Sequence, residues 1–319
     1  MKAMKRIASL VVILLFSSAL VQASELIQVG PFELHNSFWM SLHQTLIADA
    51  SGFAELDRSR LSEDESEIWA ESVAAYASLR GGGSLYFSDA AITTSDTITQ
   101  LADDASVFGL DAPLAEALQK AAPIYRKQWW PVHRKSNEFF RAWLGGMLEE
   151  AGAELIARHE QVYGENWPEL VRVYISPWGG ALGAYTISGR AGGWISTLSS
   201  LDPSHQGFAG LELVFHETSH SIVHPRRGRV AKALSEAAGA GNQPPRDLWH
   251  AILFATTSEL TRRYLAERGV DYVPFSEDLL TRVWSMYREP IERHWIPYLD
   301  GEGTLDAAIR SVVSETMSR

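Results

Sequence analysis

His216-Glu217-Thr218-Ser219-His220 brings together residue types and a spacing that can do chemistry. Four residues turn an α-helix through about 400°, so both imidazoles leave nearly the same face, one turn apart. Two nitrogens placed that way can bind one Zn²⁺ at about 2.0–2.1 Å. Glu217 lies beside them. It can hydrogen-bond a water at the metal without being a ligand itself, which makes two ligands and a general base. Thr218 and Ser219 are small and leave room for the ion.

A third ligand must come from elsewhere, and the candidates downstream are His250, Glu259 and Glu236. His250 and Glu259 are nine residues apart, so on one helix they face opposite sides and cannot both bind. His250 stands next to Trp249, with Asp247 near enough to support the imidazole. Glu259 is followed by Arg262 and Arg263 at the spacing of a solvated ion-pair face. Glu236 sits in a short alanine-rich helix. His250 leads and Glu259 is the alternative. His224 is excluded, because on a continued helix it would lie about 12 Å along the axis from His216. It reads instead as the C-terminal residue of that helix, before Pro225.

Leu211 to His220 resembles the zincin clan, and within it the gluzincin-like metallopeptidases. The likeness covers about 193–224 and, loosely, the helix after Pro245. A metzincin would need glycine and histidine where this chain has Val223 and Arg226. The resemblance implies a zinc hydrolase cutting a peptide or protein substrate, with Glu217 as general base. It also implies an oxyanion donor, for which Tyr264, Tyr272, Tyr287 and His205 are available. In zincins the strand before the metal helix, here Trp194 to Leu198, lies at the sheet edge and pairs with an extended substrate. The other readings are a zinc hydrolase of a non-peptide bond and a non-catalytic zinc-binding protein. An intact Glu217 speaks against the latter, since a binder needs no base.

The elements that must position these residues read as an α+β fold, predominantly helical, with a small sheet before the metal helix: a zincin-like core. One catalytic domain, 24–319, divides into a helical lobe (24–165), a sheet plus the metal helix (166–225) and a second helical lobe (226–319). Val171 to Ser176 alternates apolar and polar residues and ends at Pro177. Ala184 to Ile187 and Trp194 to Leu198 read as further strands. A helix starts near Phe208 and buries Leu211, Val214 and Phe215. In the first lobe, Ser136 reads as the N-cap of a helix. Its apolar face carries Phe139, Phe140, Trp143, Leu144, Met147, Leu148, Ala151 and Leu155. In the last lobe, helices are expected over 230–238, from Pro244-Pro245 to Arg268, from Ser276 through Tyr287, and from Leu305 onward. Gly81-Gly82-Gly83 lacks the Lys-Ser/Thr that a phosphate cradle requires.

Composition restricts the setting. Without cysteine there is no disulfide, thiolate ligand or thiol nucleophile, so zinc would have to be held by His, Asp or Glu. The formal charge of −11 disfavours nucleic acid and anionic membrane as partners. Lys2, Lys5 and Arg6, then the apolar run Ile7 to Leu20, then Val21-Gln22-Ala23, form the three parts of a secretory signal peptide cut after Ala23. Its apolar run is shorter than the ~20 residues of a membrane span. The expected location is periplasmic or secreted, with no membrane attachment after cleavage.

Overall fold

The computed structural model describes residues 26–318 apart from 80–83, 108, 111, 182 and 190–192. The signal segment 1–23 and the triple glycine 81–83 lie outside the described residues. The fold is α+β and predominantly helical.

Two short strands, β1 (Ile27–Val29) and β2 (Phe32–His35), come first. Helices α1 (Phe38–Ser51), α2 (Glu63–Ala77), α3 (Asp89–Ile98), α4 (Ala112–Gln128) and the long α5 (Trp130–Tyr163) follow. Then come β3 (Val171–Ser176), β4 (Ala184–Ser188), β5 (Trp194–Ser199) and α6 (Phe208–Ser219), the helix of the histidine pair. The chain finishes with α7 (Gly228–Ala238), α8 (Leu248–Ala266), α9 (Glu277–Arg282), α10 (Ser285–Pro290), a π-turn at Ile291–Trp295, α11 (Ile296–Leu299) and α12 (Leu305–Met317). No helix among the described residues is long and apolar enough to cross a membrane.

The strand order is β1-β2-β3-β5-β4. β2, β3 and β5 run parallel, and β1 and β4 are antiparallel edges. Parallel strands need cover on both faces, and alternation supplies it. Phe32, Leu34, Val171, Val173, Ile175 and Leu198 enter one core with α5, α6, α8 and α12. Tyr174, Tyr185, Ile187 and Ile195 enter a second core with α1 to α4. Each fully buried side chain of this size contributes roughly 1.5–3 kcal/mol.

The expected strands and the helices α6, α7, α8 and α12 form close to where periodicity puts them. Four expectations are corrected. Residues 24–165 are not only helical, because β1 and β2 join the sheet. Phe32-Glu33-Leu34-His35 alternates over too few residues to announce itself, and its pairing with β3 makes it a strand. The long helix begins at Trp130, with Pro131 in its first turn, rather than at Ser136. Ser136 donates from Oγ to the Ser200 carbonyl at 3.2 Å, and Phe139 is 73% exposed while Phe140, Leu144, Leu148, Ala151 and Leu155 are buried. The helix from Ser276 breaks at Val283 and resumes at Ser285. Finally, Trp194 to Leu198 is an interior strand and β4 is the edge.

α6 is buried from Gly210 to Ser219, with Leu211, Leu213, Val214 and Phe215 in the core. Gly210 lets it lie close to α5, since a Cβ there would meet the His205 carbonyl oxygen at 2.8 Å and Phe140 at 3.0 Å. The helix ends at His220, where the Ile222 and Val223 N–H groups turn back onto the Ser219 carbonyl. Pro225 prevents a further helical turn.

Candidate metal centre

His216, Glu217 and His220 close α6, and His250 enters from the first turn of α8. Asp247, at the N-cap of α8, has φ 59 and is the non-glycine residue with left-handed backbone among those described. Asp is among the few residues that tolerate this conformation. Its carbonyl accepts from the His250 and Ala251 N–H groups at 3.0 Å and so sets where His250 leaves the helix.

The three imidazoles converge, each offering a nitrogen, with those atoms within 4.8 Å of one another. No other such group of three occurs among the described residues. His216 Nε2 and His250 Nε2 are 3.2 Å apart. Two imidazole lone pairs cannot face each other at that distance without a proton or a cation between them. A tetrahedral zinc with ligands at 2.0–2.1 Å would separate two nitrogens by about 3.3 Å. Burial pushes His250 down to about 4, and burial plus the neighbouring imidazoles hold His216 and His220 well below the usual histidine range, so the rings are neutral. Without a cation one donates its N–H to the other, and with the other tautomer both lone pairs are free for a metal. Neutral imidazoles suit a borderline divalent cation such as zinc.

Ring packing holds the three side chains. Phe254 stacks on His216 with centroids 3.5 Å apart, and Trp249 stacks on His250 at 4.7 Å. Trp284 meets His250 edge-on at 5.2 Å. Asp247 does not support the imidazole of His250 as expected; its carboxylate lies 3.5 Å from Arg246, and its backbone does the positioning.

Glu217 is buried, with its Oε2 4.0 Å from His220 Nε2. Thr186 on β4 donates to the same oxygen at 2.7 Å, and its hydroxyl also meets Ser196 Oγ at 2.9 Å. Burial raises Glu217 to about 8, against the opposing effect of Thr186. One turn earlier, Glu212 ties the region together. Its carboxylate accepts from Ser258 Oγ, Tyr272 OH and the N–H groups of Phe275 and Ser276, at 2.7–3.1 Å. These bonds fasten α6 to α8 and to the loop that carries Phe275.

The group opens on a cavity of about 1080 Å³ between the two cores. Its wall includes Tyr86, Tyr185, Thr186, Trp194, Arg226 and Phe275. Glu259 lies outside the histidine group and is held by Arg262 and Arg263 at 2.6–2.8 Å. Glu236 is an exposed partner of Lys232. His224 is not the end of α6 but sits in the turn beyond it, its Nδ1 accepting from the Arg226 N–H at 3.2 Å. None of the four expected oxyanion donors lines the cavity. Tyr272 is bonded to Glu212, Tyr287 to the Arg246 carbonyl, Tyr264 lies under Arg268, and His205 is buried against Phe275.

Thr186, Tyr86, Tyr185 and Arg226 carry no motif and escaped the sequence analysis. The one available signal was alternation in β4, which puts Thr186 on the opposite face from Tyr185 and Ile187. Comparison with protein-family models, curated proteins and solved structures gave no match.

Proposed function

We propose that the chain is an exported zinc-dependent peptidase with a zincin-like core, in which His216, His220 and His250 hold the metal and Glu217 is the general base. The observation that carries this is the convergence of three imidazoles, His216 buried and His220 and His250 half-buried, beside the buried Glu217 carboxylate at the wall of an open cavity. Three protein ligands leave a fourth position free, as catalytic zinc requires. A His₃ set departs from the acidic third ligand of gluzincins, so the likeness is to the clan rather than to that branch. The export rests on the signal-like residues 1–23.

A bound Zn²⁺ supplies Lewis acidity and makes water acidic enough to lose a proton near neutral pH. Glu217 takes that proton as water adds to the scissile carbonyl, then delivers it to the departing amine as the C–N bond breaks. Thr186 donates to Glu217 Oε2 and so orients the carboxylate at the site. Trp249, Phe254 and Phe275 keep the surroundings apolar, which strengthens charge interactions at the reacting atoms. β4 is an edge strand on the cavity wall, so its outer backbone groups can pair with an extended peptide.

The test is metal content and peptide hydrolysis on the same preparations. Purified protein should hold one zinc per chain and cleave a mixed peptide library, and Glu217→Gln should keep the zinc and lose cleavage. Full activity in Glu217→Gln, or absence of zinc after zinc is added back, overturns the assignment.

A further inference from the structure

The cavity wall is sorted by charge. Phe53, Leu85, Phe87, Trp249, Phe254 and Phe275 make most of it apolar, and Glu217 is the one acid among the described residues that line it. Beyond His220 the chain turns through His224-Pro225-Arg226-Arg227, and Arg226 lines the cavity on this side. The Arg227 guanidinium packs over the ring of Trp194, 4.7 Å from its centroid, and Trp194 belongs to the same wall.

Arg226 is set apart by its place: exposed Arg60, Arg227, Arg229 and Arg310, like it, lack a carboxylate within ion-pair distance, but Arg226 is the arginine that lines the cavity among the described residues. Arg58, Arg158, Arg263, Arg268, Arg282 and Arg288 each sit within ion-pair distance of a carboxylate. Among the described residues Arg226 has no such partner, and the contact recorded for it is its backbone N–H on His224. A guanidinium with no carboxylate partner on the wall of a largely apolar cavity is open to a ligand. A planar donor fork there matches a carboxylate.

We propose that Arg226 is a specificity-determining residue that binds a carboxylate of the substrate, so the cavity takes peptides combining bulky apolar side chains with a free carboxylate. The identity of the bond cut rests on the peptidase reading; the recognition of the anion is tested apart from it. The carboxylate is either the peptide C-terminus or an acidic side chain, and the experiment separates these.

Three acetylated tripeptides are titrated calorimetrically into the zinc-loaded Glu217→Gln chain: Ala-Phe-Phe with a free C-terminus, the same peptide as its amide, and Ala-Phe-Glu as its amide. At least one of the two acids should bind about tenfold more tightly than the neutral amide. The acid that wins identifies the source of the carboxylate. Adding Arg226→Ala should erase the preference and leave the neutral amide unaffected, and Arg226→Glu should reverse it. Arg226 is exposed, so neither change disturbs the core. Equal binding of acid and amide overturns the proposal. So does a preference that survives Arg226→Ala, which would mean that the metal, common to both chains, reads the carboxylate. If Arg226 governs binding but the unsubstituted chain cleaves no peptide, the peptidase reading falls and this inference stands. If peptides are cleaved with no charge preference, the reverse holds.

Discussion

Two sets of histidines, one buried and one only partly so, differ in what their nitrogens face. In the helical region, His43 meets Tyr76 OH at 2.8 Å and Ser95 Oγ at 3.1 Å. His133 meets Tyr125 OH at 2.9 Å, and His159 bonds the Leu155 carbonyl at 2.7 Å. At the cavity, His216 and His250 face each other, and the Nδ1 of His216 has no hydrogen-bond partner. Burial lowers the proton affinity of both sets. The first set exchanges water for protein oxygens and is finished. In the second, imidazole nitrogens face one another, an arrangement that suits a cation. Burial alone therefore says little about what a histidine does; the atoms opposite its nitrogens decide it.

Substituting across the two sets is the strongest way to break this contrast. His216→Ala, His220→Ala and His250→Ala should each reduce zinc to trace levels and abolish cleavage, while His43→Ala and His159→Ala keep one zinc per chain. Glu217→Gln should hold its zinc and lose about 10²- to 10⁴-fold in kcat. Metal analysis and hydrolysis on the same samples check all of these. A full complement of zinc in His250→Ala would move the third ligand elsewhere.

The finished set predicts how the fold responds to acid. Burial holds His43 at about 3 and His133 and His159 at about 4. In the unfolded chain each titrates near the ordinary value of about 6.5. Below that pH the unfolded chain binds protons that the folded chain refuses, so stability rises with pH. It is fully present above about pH 6.5 and drains away as pH falls toward the folded values. Each imidazole withdraws up to about 1.4 kcal/mol per pH unit in that window. Urea midpoints at a series of pH values measure the slope. His43→Gln, which retains polar contacts but cannot take a proton, should flatten it by about one proton.

How far the site could be read in advance follows the range of the interactions that build it. His216, Glu217 and His220 belong to one helical turn, so their spacing alone places them together. His250 could be proposed because a helix start behind Pro244-Pro245 is a local signal. Thr186 could not, because it reaches Glu217 only once β4 has paired with β5 and α6 has packed below the sheet. Register between strands and the seating of a helix are long-range facts. The same reason hid β2, whose strand character comes from β3, and left Trp194 to Leu198 expected at the edge that β4 takes. Phe139 shows a different limit. The stripe Phe140, Leu144, Leu148, Ala151, Leu155 is buried as its period requires, but the width of that stripe is set by the neighbours, and Phe139 falls outside it.

Removing one histidine of the finished set should cost folding without touching the metal. His43→Ala leaves Tyr76 OH and Ser95 Oγ buried with a lost partner. The penalty should be about 2–4 kcal/mol, from the unpaired groups and the vacated volume together. Chemical denaturation of the zinc-loaded protein reads this directly. A loss of zinc in step with stability would show that the two histidine sets are coupled through the sheet between them rather than independent.

The smallest effect tests the carboxylate instead of the imidazoles. Thr186→Val is close to isosteric and removes the hydroxyl that donates to Glu217 Oε2 at 2.7 Å. If that bond aims the base, kcat should fall about tenfold with KM unchanged, because a single hydrogen bond to a charged group is worth roughly 1.5–3 kcal/mol and part of it is recovered from water. Thr186→Ser should restore activity, since the hydroxyl alone is needed. A rise in KM at constant kcat would assign Thr186 to the substrate-facing edge of β4 instead. The two outcomes separate the roles that one residue can hold in this geometry: its side chain serves the general base while its backbone belongs to the edge strand.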